Sequence, residues 1–320
     1  MTVASHTPDR PLRIGTRGSP LALAQTAELR RRLAAAHPHL APAGAIETVV
    51  IKTTGDRVQD RRLMEIGGKG LFTKEIENAL LAGRIDCAIH SLKDMQTWLP
   101  AGARIGCILP REDPRDVLIA ADANHVADLP KGAVIGTASL RRQAQLLAQR
   151  PDLKIVPMRG NVETRLKKLA GGEADATLLA LAGLRRLGLV SNSAAILSPE
   201  EMLPAVGQGA LAIETRDQDE RMQGLLRPLN HGDSAVCVLA ERACLAELDG
   251  SCHTPIAALA ELVDDGREIR LRALIALPDG SSLHREDRRG PVHDPRGLGI
   301  AAARALKARA DPAFFRSMTA

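Results

Sequence analysis

Val134-Ile135-Gly136-Thr137-Ala138-Ser139 is a short apolar run that ends in Gly-Thr, with a serine directly before a helical pattern. Ile14-Gly15-Thr16-Arg17-Gly18-Ser19 has the same design earlier in the chain. Serine is a favoured N-cap, and Pro20 suits the first turn of a helix. A strand that leads into a helix N-terminus outlines an anion site, although a capped helix without a ligand would give the same sequence. The repeated pattern predicts two similarly built α/β halves that share one cleft.

Apolar runs of strand length continue on both sides of these stretches. They predict strands at 46–51, 85–89, 105–109, 117–120, 153–156, 175–179 and 210–214, and a helix at 73–82. The polar stretch 52–62 is interpreted as a loop. A last module begins near Leu229, with helices predicted at 234–248 and 295–309 and strands at 256–262, 268–277 and 281–288.

These elements predict an α/β fold of two larger domains and a small C-terminal α+β domain with a three-stranded antiparallel sheet. We expect residues 1–109 and 207–228 to form domain 1 and residues 110–206 to form domain 2. Residues 229–320 are expected to form the C-terminal domain.

The positive charge of the chain is concentrated in its middle. The net charge is +5, whereas residues 130–190 alone carry eleven basic and four acidic side chains. An anionic partner is therefore expected there. Nucleic acid is disfavoured, because one Trp, three Phe and no Tyr provide almost no platform for stacking bases. A two-domain anion-binding protein without catalysis remains an alternative.

No segment predicts a membrane anchor or a signal peptide. The N-terminus is polar, and the longest apolar stretch, 178–184, is too short to span a bilayer. A cytoplasmic protein without a membrane partner is expected.

Five cysteines occur without metal-type spacing, so no metal site is expected. Cys87, Cys107, Cys237 and Cys244 lie in apolar strand or helix patterns and are predicted to be core residues. Cys252 differs, because it follows a long helical pattern and lies between Gly250 and Pro255. Gly250 is expected to form a left-handed helix C-cap, which places Cys252 on a loop. A loop thiol is a candidate nucleophile or attachment point, although a half-buried structural cysteine is the ordinary alternative.

Two further positions have the chemistry of a site. His90-Ser91-Leu92-Lys93-Asp94 follows the strand predicted at 85–89, and α/β proteins place their sites at such strand ends. A solvated Lys93–Asp94 ion pair is the alternative. Arg141 and Arg142 lie in the first turn of a predicted helix, where positive charge opposes the helix dipole. A bound anion would reverse that effect.

The chain resembles the porphobilinogen deaminase (hydroxymethylbilane synthase) family from Leu12 to about Ala310. Long motifs in one order carry the resemblance: Thr16-Arg17-Gly18-Ser19-Pro20-Leu21-Ala22-Leu23, Gly67-Gly68-Lys69-Gly70-Leu71-Phe72, His90-Ser91-Leu92-Lys93-Asp94, Arg111-Glu112-Asp113-Pro114-Arg115-Asp116, Gly136-Thr137-Ala138-Ser139-Leu140-Arg141-Arg142-Gln143, Arg159-Gly160-Asn161-Val162, Pro204-Ala205-Val206-Gly207-Gln208-Gly209 and Gly250-Ser251-Cys252. Any one of these motifs alone would be a weak signal.

The resemblance implies an enzyme that joins four porphobilinogen molecules head to tail, with loss of ammonia, and releases hydroxymethylbilane for tetrapyrrole biosynthesis. It implies two domains similar to type II periplasmic binding proteins, a monomer, and a dipyrromethane cofactor in thioether linkage to Cys252. Domain 1 then corresponds to the substrate and lid half, and domain 2 to the cofactor-binding half.

Site residues are implied in the same way. Asp94 matches the catalytic acid/base group, and Lys69 and Phe72 belong to a lid. Arg17, Ser19 and Arg186 match contacts to substrate carboxylates. The positions that match cofactor contacts, besides Cys252 and Asp94, are Lys93, Thr137, Ser139, Arg141, Arg142, Arg159, Gly160 and Arg165.

The chain departs from the family pattern in a few places. Met95-Gln96 stands where a proline is common, which predicts a less ordered loop at 95–99. Glu65 replaces a lysine of some relatives, and His253 is assigned no catalytic role.

Overall fold

The structure is a computed structural model that describes residues 10–57, 70–191, 194–250 and 254–319. The strands are β1 (Leu12–Thr16), β2 (Ile46–Val50), β3 (Cys87–Ser91), β4 (Ala103–Ile108), β5 (Asp116–Ala120), β6 (Val134–Gly136), β7 (Lys154–Val156), β8 (Ala176–Ala180), β9 (Ala194–Ile196), β10 (Leu211–Arg216), β11 (Ile256–Val263), β12 (Glu268–Ala276) and β13 (Leu283–Pro291). The helices are α1 (Pro20–Ala36), α2 (Thr54–Arg57), α3 (Lys74–Leu81), α4 (Leu140–Gln149), α5 (Val162–Ala170), α6 (Leu181–Leu187), α7 (Glu220–Leu226), α8 (Gly232–Glu247), α9 (Pro295–Arg309) and α10 (Pro312–Thr319).

Two five-stranded sheets share one design. Their strand orders are β2-β1-β3-β10-β4 and β7-β6-β8-β5-β9. In each sheet the first three strands are parallel, the fourth is antiparallel to its neighbours, and the fifth pairs only with the fourth. The antiparallel strands β5 and β10 are the ones at which the chain changes sheet. β5 begins the second sheet directly after β4, and β10 returns to the first sheet after β9. The predicted repetition of two α/β halves is confirmed.

Close packing explains the glycine that both halves share. A Cβ atom on Gly15 of β1 would lie 2.3 Å from Ile85 Cδ1, and one on Gly136 of β6 would lie 2.4 Å from Met158 Cε. Real Cβ atoms do not approach other atoms so closely, so any other residue at either position would force the facing side chain to shift. The helices that follow begin at Ser19 and Ser139, whose hydroxyl groups accept hydrogen bonds from the Ala22 and Arg142 amides.

The third sheet is the antiparallel meander β11-β12-β13, as expected. Helices α8 and α9 cover it, and its core includes Cys244, Leu271 and Leu306. Glu241 of α8 joins this module to both connections between the two larger sheets. Its fully buried carboxylate accepts hydrogen bonds from Arg111 Nη1 at 2.5 Å, the Gly207 amide at 2.7 Å and the Ala260 amide at 2.8 Å.

Several local expectations were wrong. Of the loop expected at 52–62, residues 54–57 form the short helix α2, and residues 58–62 lie outside the described residues. The sequence pattern missed β9, α6, α7 and α10. At the end of α8 the left-handed residue is Asp249, with φ 52°, and not Gly250. Gly250 instead allows a close contact, because a Cβ atom there would lie 2.5 Å from the terminal methyls Ile256 Cδ1 and Leu245 Cδ1, which would have to shift. Within the described ranges, no helix is long and apolar enough to cross a membrane.

Candidate active site

Asp94 lies at the end of β3, in the short 3-10 turn Leu92–Asp94. It lines a small pocket together with Arg17 and Ser19 from the β1–α1 junction, Phe72, and His90 of β3. The ends of β1 and β3 therefore lie side by side at this pocket, with the Asp94 carboxylate between the residues that line it. Buried Glu214 of β10 lies behind this site, and its Oε2 is 3.0 Å from His90 Nε2.

Arg17 lines this pocket and is held there by two side chains. Its Nη2 atom lies 2.5 Å from Asp56 Oδ1, and its guanidinium stacks 4.3 Å from the centre of the Phe72 ring. Burial opposes ionisation of Asp56, but the hydrogen bonds and charge of Arg17 outweigh it and lower the pKa of that carboxyl. The pocket volume is about 50 Å³, which is enough for a few water molecules and not for a substituted pyrrole. A substituted pyrrole would therefore need more space than this pocket provides.

Lys93 is not a solvated partner of Asp94. Its Nζ atom donates a hydrogen bond to Gln208 Oε1 at 3.2 Å. Burial lowers the pKa of Lys93 to about 8, while the charge of Asp94 acts in the opposite direction. The ammonium group thus lies in a polar interior, in contact with the segment that returns to the first sheet.

Asp116 at the start of β5 holds the paired arginines of α4. Its fully buried carboxylate accepts hydrogen bonds from Arg141 Nη2 at 2.7 Å and from Arg142 Nη2 at 2.8 Å. Gln208 Nε2 donates to the same carboxylate at 2.8 Å. Burial opposes ionisation of Asp116, but the two guanidinium charges outweigh it and hold its pKa well below the ordinary range. Asp116 thus supplies a counter-charge for the two arginines in the first turn of α4, within the chain itself.

Around Asp116 and its two arginines, basic side chains still outnumber acidic ones. Burial lowers the pKa of Arg165 to about 10, and the charges of Arg142 and Arg159 add to the shift while Asp94 opposes it. Arg165 Nε donates to the Gly160 carbonyl at 2.9 Å, and no salt bridge to Arg165 or Arg159 is found in the described part of the chain. The Nη1 atom of Arg159 is buried without a hydrogen-bond partner there. We call Lys93, Arg141, Arg142, Arg159 and Arg165 the cationic cluster.

An orphaned buried guanidinium nitrogen is costly unless an acceptor reaches it. The cationic cluster has five positive groups, against the nearby carboxylates of Asp94 and Asp116. The residues therefore fit a ligand with several carboxylates, such as the expected dipyrromethane.

The remaining expected contacts lie around this cluster. Thr137 is buried and accepts a hydrogen bond from the Ser139 amide at 3.2 Å. Gly160 has φ 118°, and a Cβ atom there would lie 2.6 Å from Thr164 Cγ2. Arg186 of α6 donates to the Gly209 carbonyl at 2.9 Å and lies 3.6 Å from Glu28, so it bridges the two halves.

Two expected residues, Cys252 and Lys69, lie outside the described residues, as do Glu65 and His253. The other four cysteines are buried, as predicted. Burial raises the pKa of Cys237 to about 11 and of Cys244 to about 12, which disfavours their thiolates.

Sequence reasoning missed Asp116 and Gln208 as parts of the site. Both belong to motifs that carried the family resemblance, but neither was assigned a role. The signal available was charge balance: two adjacent arginines in a buried helix turn need a nearby carboxylate.

Comparison with known proteins agrees along nearly the whole chain. Residues 12–224 match the family described as "Porphobilinogen deaminase, dipyromethane cofactor binding domain". Residues 235–308 match "Porphobilinogen deaminase, C-terminal domain".

Curated relatives are similar over almost their full length. The porphobilinogen deaminase of Paracoccus denitrificans is 56% identical over 96% of this chain and 97% of the relative. The chloroplastic porphobilinogen deaminase of Oryza sativa is 53% identical over 96% of this chain and 86% of the relative. Among solved structures, a periplasmic substrate-binding protein from Coxiella burnetii is 15% identical, with a TM-score of 0.42, over 68% of this chain and 91% of that chain.

Proposed function

This chain belongs to the porphobilinogen deaminase family, and we propose that Asp94 is its catalytic carboxylate and Cys252 the anchor of its cofactor. The enzyme joins four porphobilinogen molecules head to tail with loss of ammonia and gives hydroxymethylbilane for tetrapyrrole biosynthesis. One observation carries the site assignment: Asp94 faces both the pocket behind Arg17 and the cationic cluster.

The cofactor is dipyrromethane, and when bound it supplies the pyrrole carbon to which porphobilinogen is joined. Arg159 and Arg165 would bind its carboxylates, since Arg159 has an orphaned buried nitrogen and Arg165 has no salt bridge within the described residues. Arg141 and Arg142 are committed to Asp116 and Lys93 to Gln208. These three residues would therefore contribute positive potential at the cofactor carboxylates, and their remaining N–H groups could donate hydrogen bonds to them. Thr137, Ser139 and Gly160 complete the proposed cradle.

Asp94 has two roles in this proposal. Porphobilinogen that loses ammonia becomes a cationic methylene pyrrole, which a carboxylate at hydrogen-bond distance stabilises. Asp94 also holds the proton that moves between the pyrrole groups and the leaving amine.

The proposed carboxylate contacts of the incoming substrate are Arg17, Ser19 and Arg186. Arg17 is held by Asp56 in the present conformation, so substrate binding exchanges one carboxylate for another. Phe72 and Lys69 are proposed lid residues, since Phe72 stacks on Arg17 and borders the pocket.

The proposed organisation keeps the expected boundaries. Residues 1–109 and 207–228 form the substrate and lid half, residues 110–206 the cofactor-binding half, and residues 229–320 the domain that carries the anchor. Sheet membership supports this division, because β10 pairs with β3 and β4. We further propose a cytoplasmic monomer that takes porphobilinogen as its small-molecule substrate.

The test is Asp94→Asn, which keeps the shape of the side chain and removes its charge and its basic oxygen. The kcat for porphobilinogen consumption is expected to fall about 10²- to 10⁴-fold, while Asp122→Asn, at an exposed position, leaves it unchanged. A kcat for Asp94→Asn within threefold of wild type would remove Asp94 from the mechanism.

A further inference from the structure

A second cavity lies on the other side of the first sheet, between its edge strand β4 and helix α8. Its volume is about 580 Å³, which is within the range of small-molecule sites. None of the residues that line it lines the pocket of Asp94. The cavity is therefore separate from the catalytic site.

The lining combines apolar surface with positive charge. Leu99, Ile105, Val238 and Leu239 supply aliphatic side chains, and the whole of β4 contributes, from Ala103 to Ile108. Three arginines line the same space: Arg104 from β4, Arg242 from α8 and Arg296 from the first turn of α9. Within the described ranges, none of the three has a carboxylate at salt-bridge distance.

Arg242 is partly buried and has no carboxylate partner among the described residues. Its Nη2 atom donates to the backbone carbonyls of Gln96 at 2.6 Å and Thr97 at 3.2 Å. Burial lowers the pKa of Arg242 to about 10, and the charge of Arg296 lowers it further, while Glu214 acts in the opposite direction. Glu214 is itself fully buried and bonded to His90. A half-buried guanidinium beside a second one, with carbonyls as its contacts, favours an added anion.

Trp98 marks the rim of the cavity. It is the single tryptophan of the chain and is 51% exposed, and its neighbours Thr97 and Leu99 line the space. An exposed indole next in sequence to cavity-lining residues is compatible with a recognition surface. It also provides an optical signal for this loop.

We propose that this cavity is a binding site for a small molecule with an apolar body and at least two carboxylates. The carboxylates pair with Arg242 and Arg296, and the body lies on the aliphatic residues of β4 and α8. Neutral apolar molecules would leave the arginines without counter-charge, and inorganic anions would leave the apolar floor in contact with water.

The test is calorimetric titration of the holoenzyme with naphthalene-2,6-dicarboxylate at low salt, with Trp98 fluorescence as a second signal. We expect saturable binding that Arg296→Gln and Arg242→Gln each weaken about tenfold or more. Naphthalene-2,6-dicarboxamide is expected not to bind. Arg296 is exposed, so its variant tests the proposal even if Arg242→Gln disturbs the loop.

Two controls separate this site from others. Arg304→Gln, on the same helix but outside the cavity, is expected to bind within twofold of wild type. Arg17→Gln, in the Asp94 pocket, should also bind normally. Absence of binding, equal binding by Arg296→Gln, or loss of binding only in Arg17→Gln would overturn the proposal. The titration involves no turnover, so its failure does not bear on the catalytic proposal.

Discussion

Replacing Asp116 by Asn tests the view that one buried carboxylate neutralises part of the cationic cluster. The substitution keeps the shape of the side chain but leaves Arg141 and Arg142, each 5% exposed, without their shared counter-charge. It also places an amide NH₂ beside groups that are themselves donors, since Gln208 Nε2 donates to the same carboxylate. Breaking a buried ion pair from one side costs about 3–5 kcal/mol. Since domains are commonly stable by about 5–15 kcal/mol, this is a large loss.

The assay is urea denaturation followed by circular dichroism, with Asp287→Asn as the matched control. Asp287 pairs with Arg270 on the surface, where side chains are 49% and 36% exposed, so its loss should cost about 0–1 kcal/mol. A free energy of unfolding for Asp116→Asn within about 1 kcal/mol of wild type would refute the reasoning.

The pH dependence gives a second readout for the same variant. The folded state holds the pKa of Asp116 below its ordinary value of 3.8. As the pH falls through that value, the unfolded chain binds a proton that the folded chain still excludes. Wild type therefore loses this stabilisation in acid, and Asp116→Asn should show a weaker loss between pH 5 and pH 3. Identical acid profiles would contradict the assignment.

Two further substitutions probe the substrate and cofactor contacts. Asp56→Asn removes the carboxylate that holds Arg17, so KM for porphobilinogen should fall roughly fivefold, the equivalent of about 1 kcal/mol for a partly exposed pair; an unchanged or higher KM would contradict the exchange. Arg159→Gln should lower the fraction of protein that carries cofactor, measured by intact mass, while circular dichroism stays that of wild type; a full load in that variant, or an equal loss in the exposed control Arg221→Gln, would show that Arg159 does not hold the cofactor.

Much of the fold was predictable, because its elements begin and end at local signals. Ser19, Ser139 and Asn161 cap the helices where a polar residue precedes an apolar period. The repeated Gly-Thr design predicted two similar halves, which the matching strand orders confirm. Strand β9 has three residues and was missed, as were the short helices α6 and α7, of seven residues each, and α10, of eight.

The sequence predicted which residues contribute to the site, but not which side chains bond to one another. The local pattern predicts that Asp94 follows a strand, and the basic residues are visibly concentrated in the middle of the chain. It did not show that Asp116 bonds to Arg141 and Arg142, because that contact joins elements about 25 residues apart through the sheet. The bridge from Lys93 through Gln208 to Asp116 joins three separate segments, and only the folded chain brings them together. The contact of Arg242 with the Gln96 and Thr97 carbonyls is similar. This contact holds the loop at 95–99, which was expected to be less ordered because it lacks a proline. That expectation stays a prediction.

The most direct test of the central claim is the intact mass of the purified protein and of Cys252→Ser. Wild type is expected to exceed its sequence mass by one dipyrromethane unit and to gain further pyrrole units after brief exposure to porphobilinogen. Cys252→Ser should have the plain sequence mass and gain nothing. A wild-type protein at its sequence mass, or a Cys252→Ser variant that still carries the added unit, would contradict Cys252 as the anchor of the growing chain.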